Sequence, residues 1–169
     1  MKLLAVIDMQ NDFIDGALGN AQTAAVVEPV RKRIAQCRAD GWRVVFTRDT
    51  HDEDYLDTQE GKKLPVPHCL VGTQGWQICD GLAIDGDTVL DKPAFGSMQL
   101  AAFAQKMQPQ QIELIGVCTD ICVISNALIL KAVLPQTPIA VRAHCCAGVS
   151  VQSHENALDA MRMCQIDIV

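Results

Sequence analysis

The stretch Gly116-Val117-Cys118-Thr119-Asp120-Ile121-Cys122-Val123 decides how this chain is read. Upstream of it, the apolar segment Ile112 to Val117 predicts a buried strand. Downstream, the apolar, alanine-rich pattern from about Thr119 to Val133 predicts a helix, with Thr119 suited to the N-cap and Asp120 to the first turn. Cys122 then falls in the first turn of a helix, just past the carboxyl end of a strand. Unpaired N–H groups and the positive end of the helix dipole favour a thiolate there. Ligands of open α/β sheets bind at that same edge. Cys122 is therefore a candidate nucleophile, provided a base and a cation stand nearby.

Both are available. Leu3 to Ile7 is a short apolar run that predicts a central strand, and Asp8 ends it. Thr88-Val89-Leu90 is strand-like, and Lys92 follows after Asp91. An acid, a lysine and a cysteine each follow a strand-like segment. A parallel sheet brings three such ends to one edge, so Asp8, Lys92 and Cys122 form a candidate catalytic set.

Elsewhere the same alternation continues. Strands are predicted at Leu3–Ile7, Arg43–Thr47, Thr88–Leu90, Ile112–Val117, Pro138–Val141 and Ile166–Val169. Helices are predicted at about Ala24–Ala39, Ser97–Lys106, Thr119–Val133 and Ser153–Met163, with Gly41 as a stop after the first. Alternating elements imply an α/β fold with a mostly parallel sheet and helices on both faces. With 169 residues and no linker, repeat or low-complexity tract, a single domain over 1–169 is expected.

Composition narrows the partners. A formal charge of −6 gives no support for nucleic-acid binding, and no apolar run approaches the ~18 residues of a membrane span. The apolar run after Met1 is too short for a signal peptide. There are eight cysteines and no pair at CxxC spacing. Buried free thiols in a reducing cytoplasm are the expectation. A small-molecule substrate and a homo-oligomer are expected, with no organic cofactor.

The segment Asp49 to Asp87 is long and irregular, which in a compact domain points to function. It begins with Asp49-Thr50-His51 and carries Glu60 and His68. Two of the chain's four histidines lie in it, with carboxylates between them. These residue types suit Zn²⁺, Mn²⁺ or Fe²⁺. Phe13 and Trp76 are candidate walls of a substrate pocket.

Taken in order, Ile7-Asp8-Met9-Gln10-Asn11-Asp12-Phe13, Asp49-Thr50-His51, Asp91-Lys92 and Gly116 through Val123 resemble the isochorismatase-like cysteine hydrolases, which include nicotinamidases and related amidases. The resemblance spans nearly the whole chain. It implies a three-layer Rossmann-like fold with a six-stranded sheet and a triad of Asp8, Lys92 and Cys122. It implies a cis peptide at Val117–Cys118 that aims the Cys118 and Cys122 amides at an oxyanion. It also implies one divalent metal on Asp49, His51 and His68, with Glu60 as a fourth ligand. The implied activity is hydrolysis of a small amide through a thioester. A metal-free amidase of a carbamoyl or ureido compound, and a thiol redox or binding protein using Cys118 and Cys122, are the alternatives. Arg142-Ala143-His144 follow the predicted fifth strand, where relatives often carry an acidic residue.

Overall fold

Leu3–Ile7 forms β1, and all five of its side chains are buried. A strand buried on both faces belongs at the centre of a covered sheet, which explains its unbroken apolar run. The computed structural model describes residues 1–169 and places β1 among five other strands. These are β2 (Arg43–Asp49), β3 (Thr88–Lys92), β4 (Ile112–Val117), β5 (Ile139–Ala147) and β6 (Asp167–Ile168). Their order is β3-β2-β1-β4-β5-β6, and every pairing is parallel. The chain winds outward from β1 to β3, then crosses back to β4. The order reverses between β1 and β4, and a crevice opens beyond their carboxyl ends.

Helices α1 (Asn11–Ile14), α2 (Ala21–Ala25) and α3 (Val27–Ala39) lie on one face with parts of the Asp49–Asp87 segment. There Val30, Ile34 and Cys37 of α3 pack on Leu4, Val6 and Phe46. That segment carries a 3-10 turn at Tyr55–Asp57 and one short α-helix, α4 (Gln59–Lys63). Helices α5 (Met98–Met107), α6 (Ile124–Val133) and α7 (Val151–Met163) cover the other face. Leu100, Ala127, Leu130 and Leu158 pack there on Leu3, Ala5 and Ile7. Alternate residues of β1 thus serve two separate cores, as the period of a strand requires. No helix is long and apolar enough to cross a membrane. All eight cysteines are free, and only Cys164 is exposed.

Local chemistry moved several predicted boundaries. The helix expected from Ala24 is two helices, because Asn20 caps α2 in a capping box with Thr23 and the chain restarts at Val26. The last helix begins at Ser150, whose hydroxyl caps Ser153, so Ser153 sits inside the box rather than at its head. Thr119 is not an N-cap. Cys118 holds that position, Thr119–Val123 forms a π-helical turn, and the Thr119 hydroxyl is hydrogen-bonded to His154 Nδ1 at 2.8 Å. β3 runs on to Lys92 and β5 to Ala147, so Arg142-Ala143-His144 lie within a strand rather than after one. The β4–β5 register shifts there: Leu114 pairs with Val141, but Gly116 pairs with Cys146.

Candidate active site

Asp8, Lys92 and Cys122 meet at the carboxyl edge of the sheet. Asp8 follows β1 with φ of 48°, a left-handed conformation that Asp tolerates better than most residues. Its amide donates to Thr47 Oγ1 at 3.3 Å, and Thr47 Oγ1 donates back to Asp8 Oδ1 at 2.6 Å. Lys92, the last residue of β3, puts Nζ 2.7 Å from Asp8 Oδ2. The same ammonium donates to Asp49 Oδ1 and to the Ala94 carbonyl, each at 3.0 Å, and lies 3.5 Å from Cys122 Sγ. Although close to Lys92, Asp8 Oδ2 lies out of line for a directed hydrogen bond and is left to receive a proton. All three side chains are buried.

Burial sets the protonation states here. It raises the Asp8 carboxyl, and the neighbouring Asp49 charge adds to this, while Lys92 and Thr47 oppose it. Burial also pushes the Cys122 thiol well above its ordinary value, helped by the negative charge of Asp8 and opposed by Lys92. Burial therefore opposes the thiolate that a helix start favours. It thus favours the thiol in the resting protein, with Sγ 3.5 Å from Lys92 Nζ. Burial would lower Lys92, but Asp8, Cys122 and Asp49 together raise it above its ordinary value, so it stays an ammonium.

The peptide Val117–Cys118 is cis. The Cys118 amide donates to no acceptor in the protein. The Cys118 carbonyl accepts from Ile121 and Val123, and not from Cys122. Gly116, with φ of 116°, lets β4 approach β1 here. A Cβ at that position would stand 2.1 Å from the Ile7 carbonyl oxygen. The Cys118 thiol is pushed up to about 12 by burial and by Asp120 and Asp8.

Beside the thiol is a cavity of about 360 Å³. Cys118, Cys122, Asp49, Glu60 and His68 line it on the polar side, and Phe13, Leu18, Leu64, Phe95 and Ile121 on the apolar side. Phe13 is thus where the sequence places it. Trp76 is not. Its indole N–H donates to Thr50 Oγ1 at 2.9 Å, and Arg48 stacks on its face at 3.3 Å, which makes it part of the loop scaffold. The apolar wall from Leu18, Leu64, Phe95 and Ile121 had no signal in the sequence, because these residues converge from four separate segments.

Asp49, His51, Glu60 and His68 come together beside the cavity, which all but His51 line. Their ligand atoms all lie within 4.8 Å of one another. Asp49 Oδ2 is 3.0 Å from His51 Nε2 and 3.5 Å from His68 Nε2, and Glu60 Oε1 is 3.8 and 3.7 Å from the same nitrogens. Four ligands at ~2.1 Å around one ion would stand about 3.4 Å apart, so the donor set fits a divalent metal. His68 Nδ1 is bonded to the Val66 carbonyl at 2.8 Å, which turns Nε2 toward the cluster. Asp49 is held by Gln10, which accepts from its amide at 2.7 Å and donates to its carbonyl at 2.8 Å. Burial and the charge of Asp49 raise Glu60, as two carboxylates facing one small space must.

A buried acid, ammonium and thiol beside a carboxylate–histidine cluster, on a parallel α/β sheet at its reversal point, define the class of the site. The chain belongs to the isochorismatase family: residues 2–169 match the isochorismatase domain. It is 26% identical to the nicotinamidase/pyrazinamidase of Mycobacterium tuberculosis over 193 aligned positions, covering 100% of this chain and 98% of that protein. The pyrazinamidase/nicotinamidase structure from Streptococcus mutans superposes with a TM-score of 0.89 at 26% identity over the whole of both chains. The pyrazinamidase of Pyrococcus horikoshii, solved in complex with zinc, superposes at 0.85 with 25% identity, covering 99% of this chain and 98% of that one.

Proposed function

We propose that this protein is a cysteine amidohydrolase that cleaves a small, flat carboxamide in the manner of nicotinamidases. The observation that carries this is the contact of Lys92 with both Asp8 and Cys122, at the wall of a cavity bounded by Phe13 and Phe95. A cavity of about 360 Å³ suits one aryl ring and its amide. The relatives named nicotinamidase and pyrazinamidase support the same reading.

Asp8 takes the thiol proton as Cys122 Sγ bonds to the amide carbon. Lys92 stays charged and balances the anion that forms. The Cys118 and Cys122 amides receive the oxyanion. The C–N bond then breaks, and Asp8 returns its proton to the nitrogen, which leaves as ammonia. Water attacks the thioester while Asp8 takes one of its protons. The C–S bond then breaks, the acid departs, and Asp8 returns the proton to Cys122 Sγ. Asp49, His51, Glu60 and His68 would hold the divalent metal, which when bound supplies Lewis-acid polarisation and a fixed anchor for the substrate.

The test is ammonia release from nicotinamide, pyrazinamide and a carbamoyl compound by the purified protein. Turnover should be lost in Cys122→Ala and retained in part in Cys118→Ala. Mass spectrometry should find the acyl adduct on Cys122. An adduct on Cys118, or no ammonia from any amide, overturns the proposal.

A further inference from the structure

Glu113 of β4 is buried and gripped by two arginines. Arg33 of α3 donates through Nε and Nη2 to its two oxygens at 2.7 and 2.8 Å. Arg142 of β5 does the same at 2.7 and 3.0 Å. Each guanidinium thus commits one edge to Glu113, and the Nη1 group of each has no acceptor in the protein. Both arginines line a groove of about 430 Å³ between α3 and β5. Lys32 and Gln36 of α3 and His144 of β5 line it too, and no acidic side chain does. Lys32 and His144 are exposed and make no ion pair. The other carboxylates along α3 are engaged: Asp40 accepts from the Gln36 amide, and Glu28 pairs with Arg31.

A structural ion pair needs one arginine for one glutamate. Here Arg33 and Arg142 share one carboxylate, and Lys32 adds a third cation to a groove with no acidic lining, in a chain of net charge −6. Holding two guanidiniums and an ammonium around one cleft costs repulsion, which an incoming anion would remove. Glu113 also locks both forks in place, so little side-chain freedom remains to be lost on binding. Planar guanidinium edges match phosphate oxygens in pairs. The groove sits beside Glu113, near the amino end of β4, and the Cys122 cavity lies beyond the carboxyl end of the same strand.

We propose that this groove is a second binding site, for a small multivalent oxyanion of the phosphate type, either free or carried as a phosphate monoester. Isothermal titration calorimetry at low ionic strength, with inorganic phosphate, pyrophosphate and AMP in turn, tests it. Saturable binding is expected. The Lys32→Gln/His144→Gln double variant, which spares the Glu113 clamp, should weaken it by about 10-fold, as loss of a charged contact at Lys32 does. Cys122→Ala should bind as the parent protein does. AMP binding tighter than phosphate identifies a monoester ligand, and equal binding a free oxyanion. Arg33 lies 5.3 Å over the Trp42 ring, so Trp42 fluorescence gives an independent readout. No saturable heat with millimolar pyrophosphate, or binding unchanged in the double variant, overturns the proposal.

Discussion

Lys92 Nζ and Asp49 Oδ1 stand 3.0 Å apart, and this contact joins the two halves of the site. On one side, Asp49 belongs to the carboxylate–histidine cluster. On the other, Lys92 holds Asp8 and faces the thiol. Burial would raise the Asp49 carboxyl, but His51, His68 and Lys92 outweigh it and hold it below the usual carboxylate range. Asp49 is therefore an anion with two sets of partners, the histidines of that cluster and the ammonium of Lys92.

The two sets separate by mutation. His51→Ala leaves the Lys92 contact of Asp49 in place, so excess Zn²⁺ should restore part of its activity. Asp49→Ala removes a member of the cluster and the anchor of Lys92, so excess Zn²⁺ should restore none. Elemental analysis after desalting should show reduced metal in both variants, against a His154→Ala control. Equal rescue of the two would contradict the double role.

Thr47 should set the strength of the base. Its hydroxyl donates to Asp8 Oδ1 and so favours the carboxylate. Thr47→Val keeps the shape and removes the bond. The Asp8 carboxyl, already raised by burial, then rises further, and the acid limb of the kcat/KM profile moves to higher pH. A hydrogen bond to a charged group is worth ~1.5–3 kcal/mol, so kcat/KM should fall by about 10- to 100-fold. Thr47→Ser should keep most of it. An unmoved acid limb in Thr47→Val would remove this role.

Much of this site was legible because chemistry-bearing residues sat at the ends of apolar runs. Asp8, Lys92, Asp49 and Cys122 each close or follow a strand, and a parallel sheet gathers such ends. Thr47 was hidden, since a threonine inside a strand has the signature of an ordinary β-former. Trp76 misled for the opposite reason. An aromatic in a functional loop reads as a pocket wall, but Arg48 and Thr50 claim both its face and its N–H. Arg142 was placed after β5 because its charge ended the apolar pattern. In the fold it continues the strand and is neutralised sideways by Glu113, a partner that no local pattern shows. The burial of the Cys122 thiol, which raises its pKa, likewise left no mark in the local pattern.

Glu113 gives the fold a pH dependence of definite sign. Burial alone would raise its carboxyl, but Arg142 and Arg33 hold it below its ordinary value. A carboxyl lowered in the folded state contributes stability that is present above its unfolded pKa of about 4.5. That contribution is lost as the pH falls through the lower folded value. Glu113→Gln should therefore lower Tm at neutral pH and flatten its decline in acid. Breaking a buried pair costs ~3–5 kcal/mol, and the partial exposure of both arginines reduces this to about 2–3. Thermal melts of both proteins between neutral pH and mild acid check it. Parallel Tm curves would show that Glu113 is not a titrating anchor.

Asp8→Asn should uncouple the reactivity of the thiol from catalysis. In the parent protein, the Asp8 charge raises the Cys122 thiol and Lys92 lowers it. Replacing the carboxylate by an amide removes the raising charge and leaves Lys92 in place. The thiol's apparent pKa should fall, because a neighbouring anion no longer opposes the thiolate. Alkylation of Cys122 by iodoacetamide near neutral pH should then be faster than in the parent protein. Turnover should move the other way and drop by about 10²-fold or more, since no group remains to carry the proton to the departing nitrogen. The two rates, followed by mass spectrometry and by ammonia release, should diverge. If alkylation slows along with turnover, Asp8 activates the thiol in the resting protein rather than during attack, and the proton path drawn here is wrong.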